Sequence, residues 1–396
     1  MPVPTPFHPR TSALCASYRW KHWAGYYAVC SYDVTHEREY TAFRHSAGLL
    51  DVTPLFKYEV VGKDAAAFLA RVMARDIRKL KIGQVSYVCW CDEKGKTLDD
   101  GTVTRIAETH FRVTAALPSS VWLQRNARGF AVAIEDVSAK IATLALQGPN
   151  SREILRKASD ADMAALGFFK TAACRMDGFS ARITRTGYTG DLGYEIWVDN
   201  ADALKLWDRL IDAGKAYGIE PAGLDALDVA RIEAGFILLD VDYFSAKDCL
   251  IESRKSSPYE IGLGWTVQLE REPFIGQAAL IEEAAKGSKW SLVGLDIDWT
   301  ELESLYEDVG LPPSLPIAAW RAAVPVFTDD GEQVGQATSG AWSPTLKKNL
   351  ALATVACAHA KPGTRLRIEA TVEYRRQSVR ATVVERPFFN PERKRA

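Results

Sequence analysis

The chain is poor in the features that mark special environments. Its charges nearly cancel, with 49 Lys and Arg against 50 Asp and Glu and a formal net charge of −1. That balance excludes bulk electrostatic attraction to nucleic acid or to an anionic membrane surface. No apolar run approaches the ~20 residues that a membrane-crossing helix requires. The opening stretch Met1-Pro2-Val3-Pro4-Thr5-Pro6 lacks the apolar core of a secretion signal, so a cytoplasmic location is expected. Histidine is scarce, six residues dispersed without ligand spacing. The seven cysteines, at 15, 30, 89, 91, 174, 249 and 357, are odd in number and too scattered for a disulfide framework. Cys89 and Cys91 flank Trp90 without further Cys or His beside them, so no metal site is expected. The thiols read as reduced packing residues. No serine–histidine or cysteine–histidine nucleophile signature stands out.

What is present describes a globular protein of more than one domain. The 396 residues suffice for two or three domains with a sizeable core. Residues 1–20 read as an extended arm, followed by a crowd of aromatics: Tyr18, Trp20, Trp23, Tyr26, Tyr27 and Tyr32. These rings either pack or line a pocket. Strands are predicted over 58–61, 84–90, 102–105, 111–115 and 181–186, and helices from 64, over 150–165, over 200–213 and over 223–234. The alternation predicts an α+β body of two lobes over residues 1–285. Beyond it, short β-rich runs such as Val324-Pro325-Val326-Phe327 predict a small β-barrel or sandwich over 286–396. Residues 299–321, with Pro312-Pro313 and Pro316, read as an irregular ordered excursion between strands.

The densest signal is Arg185-Thr186-Gly187-Tyr188-Thr189-Gly190-Asp191-Leu192-Gly193-Tyr194-Glu195-Ile196. Three glycines within seven residues make a tight corner between strands, because glycine accepts backbone angles that other residues avoid. The corner delivers the Glu195 carboxylate at a strand start. A rigid carboxylate accepts two parallel hydrogen bonds from a flat N–C–N donor edge, the pattern of a guanidinium or of a pterin's aminopyrimidinone. A hairpin turn followed by a surface glutamate has the same composition. Asp99 and Asp100 stand together before another strand, where adjacent residues point to opposite faces. One of them can face a pocket while the other meets solvent or caps a turn.

The glycine corner resembles the signature of the glycine-cleavage T-protein family, the tetrahydrofolate-dependent aminomethyltransferases and their demethylase relatives. Further matches follow in order: Arg44 to Val52, Gly95-Lys96-Thr97-Leu98-Asp99-Asp100, Leu146-Gln147-Gly148-Pro149-Asn150, Gly223 to Asp228 running into Arg231-Ile232-Glu233-Ala234-Gly235, Gly264-Trp265, and Thr338 to Leu346. The resemblance implies a folate-binding body with a carboxy-terminal barrel, and tetrahydrofolate as the acceptor of a methyl or methylene group from a small N-, S- or O-methylated donor. It implies Asp99 as the catalytic acid, Glu195 on the pterin edge, Tyr188 and Tyr87 in contact with the ring, and Arg231 and Trp265 in the folate site. A lipoyl carrier protein would be the partner if this were the T-protein itself.

The departures bear on the reaction. The T-protein commonly has Ala-Arg-Asp where this chain has Ala226-Leu227-Asp228, an asparagine where it has Ala116, and a His-Met pair where it has Thr53-Pro54-Leu55. The Ala-Leu-Asp form resembles the folate-binding portions of sarcosine and dimethylglycine dehydrogenases. Alternatives to a small-molecule transferase are therefore the T-protein acting on an aminomethyl-lipoyl carrier, a folate-binding protein without turnover, and a relative that has abandoned folate.

Overall fold

Two antiparallel-rich sheets and a closed barrel divide the molecule, in a computed structural model that describes residues 1–316 and 318–396. The first sheet has five strands in the order Val85–Cys91, Thr97–Ala107, His110–Ala115, Phe56–Val61 and Ala133–Asp136, all antiparallel. Helix Ala65–Val72 closes one of its faces, and Phe68 and Leu69 meet Tyr58, Trp90, Val103 and Phe111 in a core of fully or nearly fully buried side chains. The second sheet has six strands, Thr171–Met176, Phe179–Thr184, Gly193–Asp199, Ile141–Gln147, Ala47–Asp51 and Ile219–Pro221, with only the last pairing parallel. Helices Ser151–Ala158 and Ala203–Gly214 cover one of its faces, burying Ile154, Leu206, Trp207 and Leu210 on Leu144, Leu146, Tyr194 and Ile196. The predicted α+β body is thus two lobes, each a sheet with helices on one side.

The carboxy-terminal strands form a closed six-stranded barrel: Trp290–Ile297, Lys348–Ala356, Gln333–Ser343, Val324–Phe327, Arg365–Val372 and Arg375–Val384. Closure leaves no unpaired strand edge, and Leu295, Val326, Ala337, Val355, Ile368 and Val383 fill the interior.

Several local expectations are corrected. The first twenty residues are not a simple extended arm: helix His8–Leu14 follows the fully buried Phe7, whose ring lies 6.2 Å from Trp207. Arg10 then forks onto Asp208, with both nitrogens 2.7 Å from the carboxylate. The helix predicted over 150–165 stops at Ala158. Ser159 turns back on the Leu155 carbonyl at 2.8 Å, and Asp162 takes the amides of Ala164 and Ala165 at 3.0 and 3.1 Å, so short polar side chains outcompete the helix. Residues 299–321 begin with a true helix, Trp299–Glu307, because Asp298 caps it by accepting the Glu301 amide at 2.9 Å. The early aromatics form the hairpin Arg19–Trp23 and Tyr26–Ser31. The hollow beneath it, lined by Trp20, Tyr27, Tyr32 and Asp51, holds about 10 Å³, so these rings pack. Among the described residues no helix is long and apolar enough to cross a membrane.

Candidate functional site

Strand register decides which side chains meet. Across the five-stranded sheet Tyr87 pairs with Thr102, Thr102 with Thr114 and Thr114 with Lys57. Directly paired residues share a face, as do residues two apart on a strand, so Tyr87, Asp100, Thr102, Thr114 and Lys57 line the face turned away from helix Ala65–Val72. Asp99 pairs with Trp90 and lies on the other face, toward the hydrophobic core. Its carboxylate is fully committed there. Oδ1 accepts the Asp100 amide at 2.8 Å, and Oδ2 accepts the amides of Ala116 and Leu117 at 3.1 and 2.9 Å. Asp99 is 1% exposed, and burial followed by the nearby Asp100 charge holds its carboxyl well above the ordinary range. Asp99, expected as the catalytic acid, here ties the turn after His110–Ala115 to the neighbouring strand, on the face opposite Tyr87.

Asp100 lies on the face that carries Tyr87 and Thr102. The hydroxyls of Tyr87 and Tyr243 donate to its two oxygens, one each. Burial pushes the Asp100 carboxyl up, and the two hydroxyls pull it back. Tyr243 is 2% exposed and was not anticipated, since nothing in its sequence neighbourhood, Asp242-Tyr243-Phe244, marks it.

The glycine corner is built around Gln147. A Cβ on Gly187 or Gly193 would come within 2.0 or 2.1 Å of the Gln147 amide oxygen, so a side chain at either position requires Gln147 to move. Gln147 in turn donates to the carbonyls of Thr186 and Tyr194, both at 3.3 Å, and accepts from Thr189 at 3.0 Å. The corner sends Tyr194 and Ile196 into the lobe core and Glu195 to the opposite face, beside Ala145 and Leu50. Glu195 Oε2 accepts the Thr186 hydroxyl at 2.8 Å and, more weakly, that of Thr184 at 3.4 Å. Among the described residues Oε1 has no hydrogen-bond partner. Burial raises the Glu195 carboxyl, against the pull of the two hydroxyls and the Lys57 charge.

The two lobes' open faces meet at these groups. Lys57, fully buried, donates to the carbonyls of Thr53 and Leu55 at 2.7 and 2.8 Å and lies within electrostatic reach of Asp51 and Glu195. Burial pulls its ammonium down to about 7. Tyr188, from the corner, lies within reach of the Asp100 charge and stacks on Phe236 with ring centroids 5.5 Å apart; its hydroxyl is spent on the Ile237 carbonyl. Tyr87 stacks on Trp265 at 5.9 Å and 15° between planes, and Trp265, 61% exposed, marks the mouth. The structure thus brings Tyr87, Tyr243 and, within electrostatic reach, Tyr188 to Asp100, with Trp265 stacked on Tyr87, while Glu195 lies within reach of Lys57.

Arg231 does not join them as a free cation. It is 1% exposed and bonded to Asp228 at 2.7 Å, Asp242 at 2.5 Å and the Phe236 carbonyl at 3.2 Å. Asp242 also takes the hydroxyls of Thr338 and Ser339, so Arg231 ties the first lobes to the barrel. Glu233 does the same beside it, gripping Arg44 at 2.5 Å and the hydroxyls of Tyr40 and Ser343. These bonds give Arg231 a structural role, while its Nη2 is buried without a hydrogen-bond partner among the described residues. Leu227 packs with Trp23, Leu50, Val52 and Leu55. One residue on, Arg321 from the end of the 299–321 segment reaches Asp228 at 2.6 Å. Trp320 anchors that segment by pairing with Gly340 and covering it, so a cation returns near helix Leu224–Glu233 by another route. The open groove of about 710 Å³ along Asp160, Leu166, Lys170 and Ser180 contains none of these groups.

Among the described residues no cluster of His, Cys, Asp and Glu has the makings of a metal site. Comparison with known proteins agrees with the architecture. Residues 8–271 match the model of the GCVT N-terminal domain, and residues 309–390 match the glycine cleavage T-protein C-terminal barrel domain. An aminomethyltransferase of Caldanaerobacter subterraneus is 33% identical over 356 residues, 89% of this chain and 87% of that protein. One from Bacillus cereus is 34% identical over 359 residues, 89% of each. The crystal structure of the glycine cleavage system aminomethyltransferase T from Bartonella henselae matches with a TM-score of 0.83 at 27% identity, covering 98% of this chain and 99% of the other.

Proposed function

The chain belongs to the glycine cleavage T-protein family, and we propose that this member is a transferase that moves a methyl or methylene group from a small N-, S- or O-methylated donor to tetrahydrofolate. What supports the reading is one half-buried carboxylate on the open face of each lobe, Asp100 held by Tyr87 and Tyr243 and Glu195 held by Thr186 within reach of Lys57, together with the stacked aromatic pairs of Tyr87 and Tyr188. The residues fit the cofactor: Glu195 keeps Oε1 for a flat donor edge, and the Tyr188–Phe236 and Tyr87–Trp265 pairs offer ring surface. Tetrahydrofolate, when bound, supplies the nucleophilic nitrogen, which accounts for the lack of a protein nucleophile.

Asp100, rather than Asp99, holds the negative charge that steadies positive charge developing near that nitrogen. Tyr87 and Tyr243 fix its orientation and spare it the full cost of burial. The Thr186 hydroxyl fixes the rotamer of Glu195 and favours its ionised form, and Lys57 adds to this below about pH 7, where it keeps its proton. The apolar wall of Trp23, Leu50, Val52, Leu55 and Leu227 beside Glu195 keeps water out and favours a small, weakly polar donor. That wall, in place of an arginine, argues for a small donor over a lipoyl carrier protein. The alternative that folate has been abandoned predicts no binding at all. The protein would act in the cytoplasm, without nucleic acid or membrane as partner.

The test is direct. Purified protein is incubated with tetrahydrofolate and a panel of methylated amines, sulfonium compounds and methyl ethers, alongside aminomethyl-lipoyl carrier protein. Methyl- or methylene-tetrahydrofolate formed from a small donor supports the reading. Product from the carrier protein alone makes the chain a T-protein in the narrow sense, and no product from any donor removes the transferase.

A further inference from the structure

Most arginines near the mouth of this site are satisfied by the protein itself. Arg78 is paired with Asp76, and Arg271 donates to the carbonyls of Ala70, Met73 and Gln268. Arg75 is different. It is half-buried beside the strand Val85–Cys91, where Ala74 donates to the Cys89 carbonyl. Its only described hydrogen bond is a long one, 3.4 Å, from Nη1 to the Tyr87 carbonyl. The guanidinium carbon stands 5.5 Å from the centroid of the Trp265 ring. No carboxylate offsets its desolvation, and burial alone pulls its pKa below the usual guanidinium range. A half-buried guanidinium with unspent donors is free to take an anion.

Its position says which anion. Asp100 bonds Tyr87, Tyr87 stacks on Trp265, and Trp265 carries Arg75 at the exposed end of the row. A ligand whose pteridine lies by Asp100 and Glu195 and whose aryl ring follows the aromatic pair ends there in its glutamyl tail. A guanidinium fork matches a carboxylate in shape as well as charge. We propose that Arg75 is the specificity residue for the glutamyl carboxylates of the folate, making the mouth a subsite for the tail rather than open solvent. This rests on the folate reading above.

Calorimetric titration of the full-length protein with tetrahydrofolate and with tetrahydropteroate, which lacks the glutamate, tests it. The native protein is expected to prefer tetrahydrofolate by about tenfold, as one charge-assisted contact at a half-buried site gives. Arg75→Gln is expected to abolish that preference while leaving tetrahydropteroate affinity unchanged, and Arg75→Lys to restore part of it. Raised salt should shrink the native preference and leave the Arg75→Gln protein unmoved. Equal affinity of the native protein for the two compounds overturns the assignment, as does an Arg75→Gln protein that loses affinity for both equally. Binding of neither compound, with the native fold intact by circular dichroism, overturns the folate reading itself and this subsite with it.

Discussion

Two adjacent aspartates give opposite results when each is neutralised. Asp99 accepts three backbone amides in a site 1% exposed to water. In Asp99→Asn one oxygen survives, and the new NH₂ group must face at least one of those amide donors. The loss of charge assistance and one unpaired buried N–H together cost about 2–4 kcal/mol of folding stability. Asp100→Asn is milder for the fold. The amide oxygen keeps one tyrosine hydroxyl, and the other hydroxyl can rotate to accept from the NH₂, so the cost is about 1 kcal/mol or less. Chemistry reverses the order. Removing a charge beside the reacting nitrogen lowers turnover about 10²–10³-fold, whereas Asp99→Asn leaves turnover per folded molecule within about threefold, since no contact with substrate is lost. Urea unfolding of both variants at pH 8, with methyl-transfer rates normalised to folded protein, separates the two effects. An Asp100→Asn protein with native turnover, or a well-folded Asp99→Asn protein without any, refutes the assignment.

Three other outcomes follow from the same geometry. Lys57 releases its proton near pH 7 when folded and near its ordinary 10.5 when unfolded. Between those values the unfolded chain holds a proton that the folded chain has shed, so stability climbs with pH by up to about 1.4 kcal/mol per unit. Comparison of denaturant unfolding from pH 7.5 to 9 should show that slope reduced in Lys57→Met, with Lys394 and the cysteines contributing equally to both proteins; parallel slopes would mean that Lys57 is not buried in this way. Glu195→Gln should weaken tetrahydrofolate binding about 10- to 100-fold, the worth of a charge-assisted pair, with little change in melting temperature because burial already opposes its charge. An unchanged affinity would place the pterin elsewhere. Gly187→Ala drives a methyl group to 2.0 Å from Gln147 and should destabilise the corner by about 1–3 kcal/mol; a neutral substitution would show that Gln147 can move aside.

Much of the architecture was legible because it rests on local patterns. The glycine corner announced itself through three glycines whose spacing has a steric reason, and the β-rich runs after residue 285 announced the barrel. The choice between Asp99 and Asp100 was not legible, since it depends on which residues of two other strands lie opposite, and a shift of one residue exchanges the faces. Resemblance pointed to Asp99, the first of the two, whereas the register puts Asp100 on the face that carries Tyr87. Tyr243 and Lys57 were invisible for a related reason: each acts through partners far along the chain, Asp100 in one case and the 53–55 carbonyls with Glu195 in the other. Arg231 could be read either way, because an arginine on a helix beside a pocket looks the same whether it serves a ligand or, as here, pairs with two buried aspartates. The helix Trp299–Glu307 was hidden by the prolines that follow it, although Asp298 was available as its cap.

The central claim is that a reduced pteridine sits between the lobes with its donor edge on Glu195 and its reactive nitrogen toward Asp100. A crystal structure of the protein with tetrahydrofolate measures this most directly. The account predicts ring nitrogens within hydrogen-bond distance of Glu195 Oε1 and the transferring nitrogen on the Tyr87–Tyr243 side of the sheet, beside Asp100. A pteridine found on the far face with Asp99, or in the outer groove along Asp160 and Lys170, would contradict it.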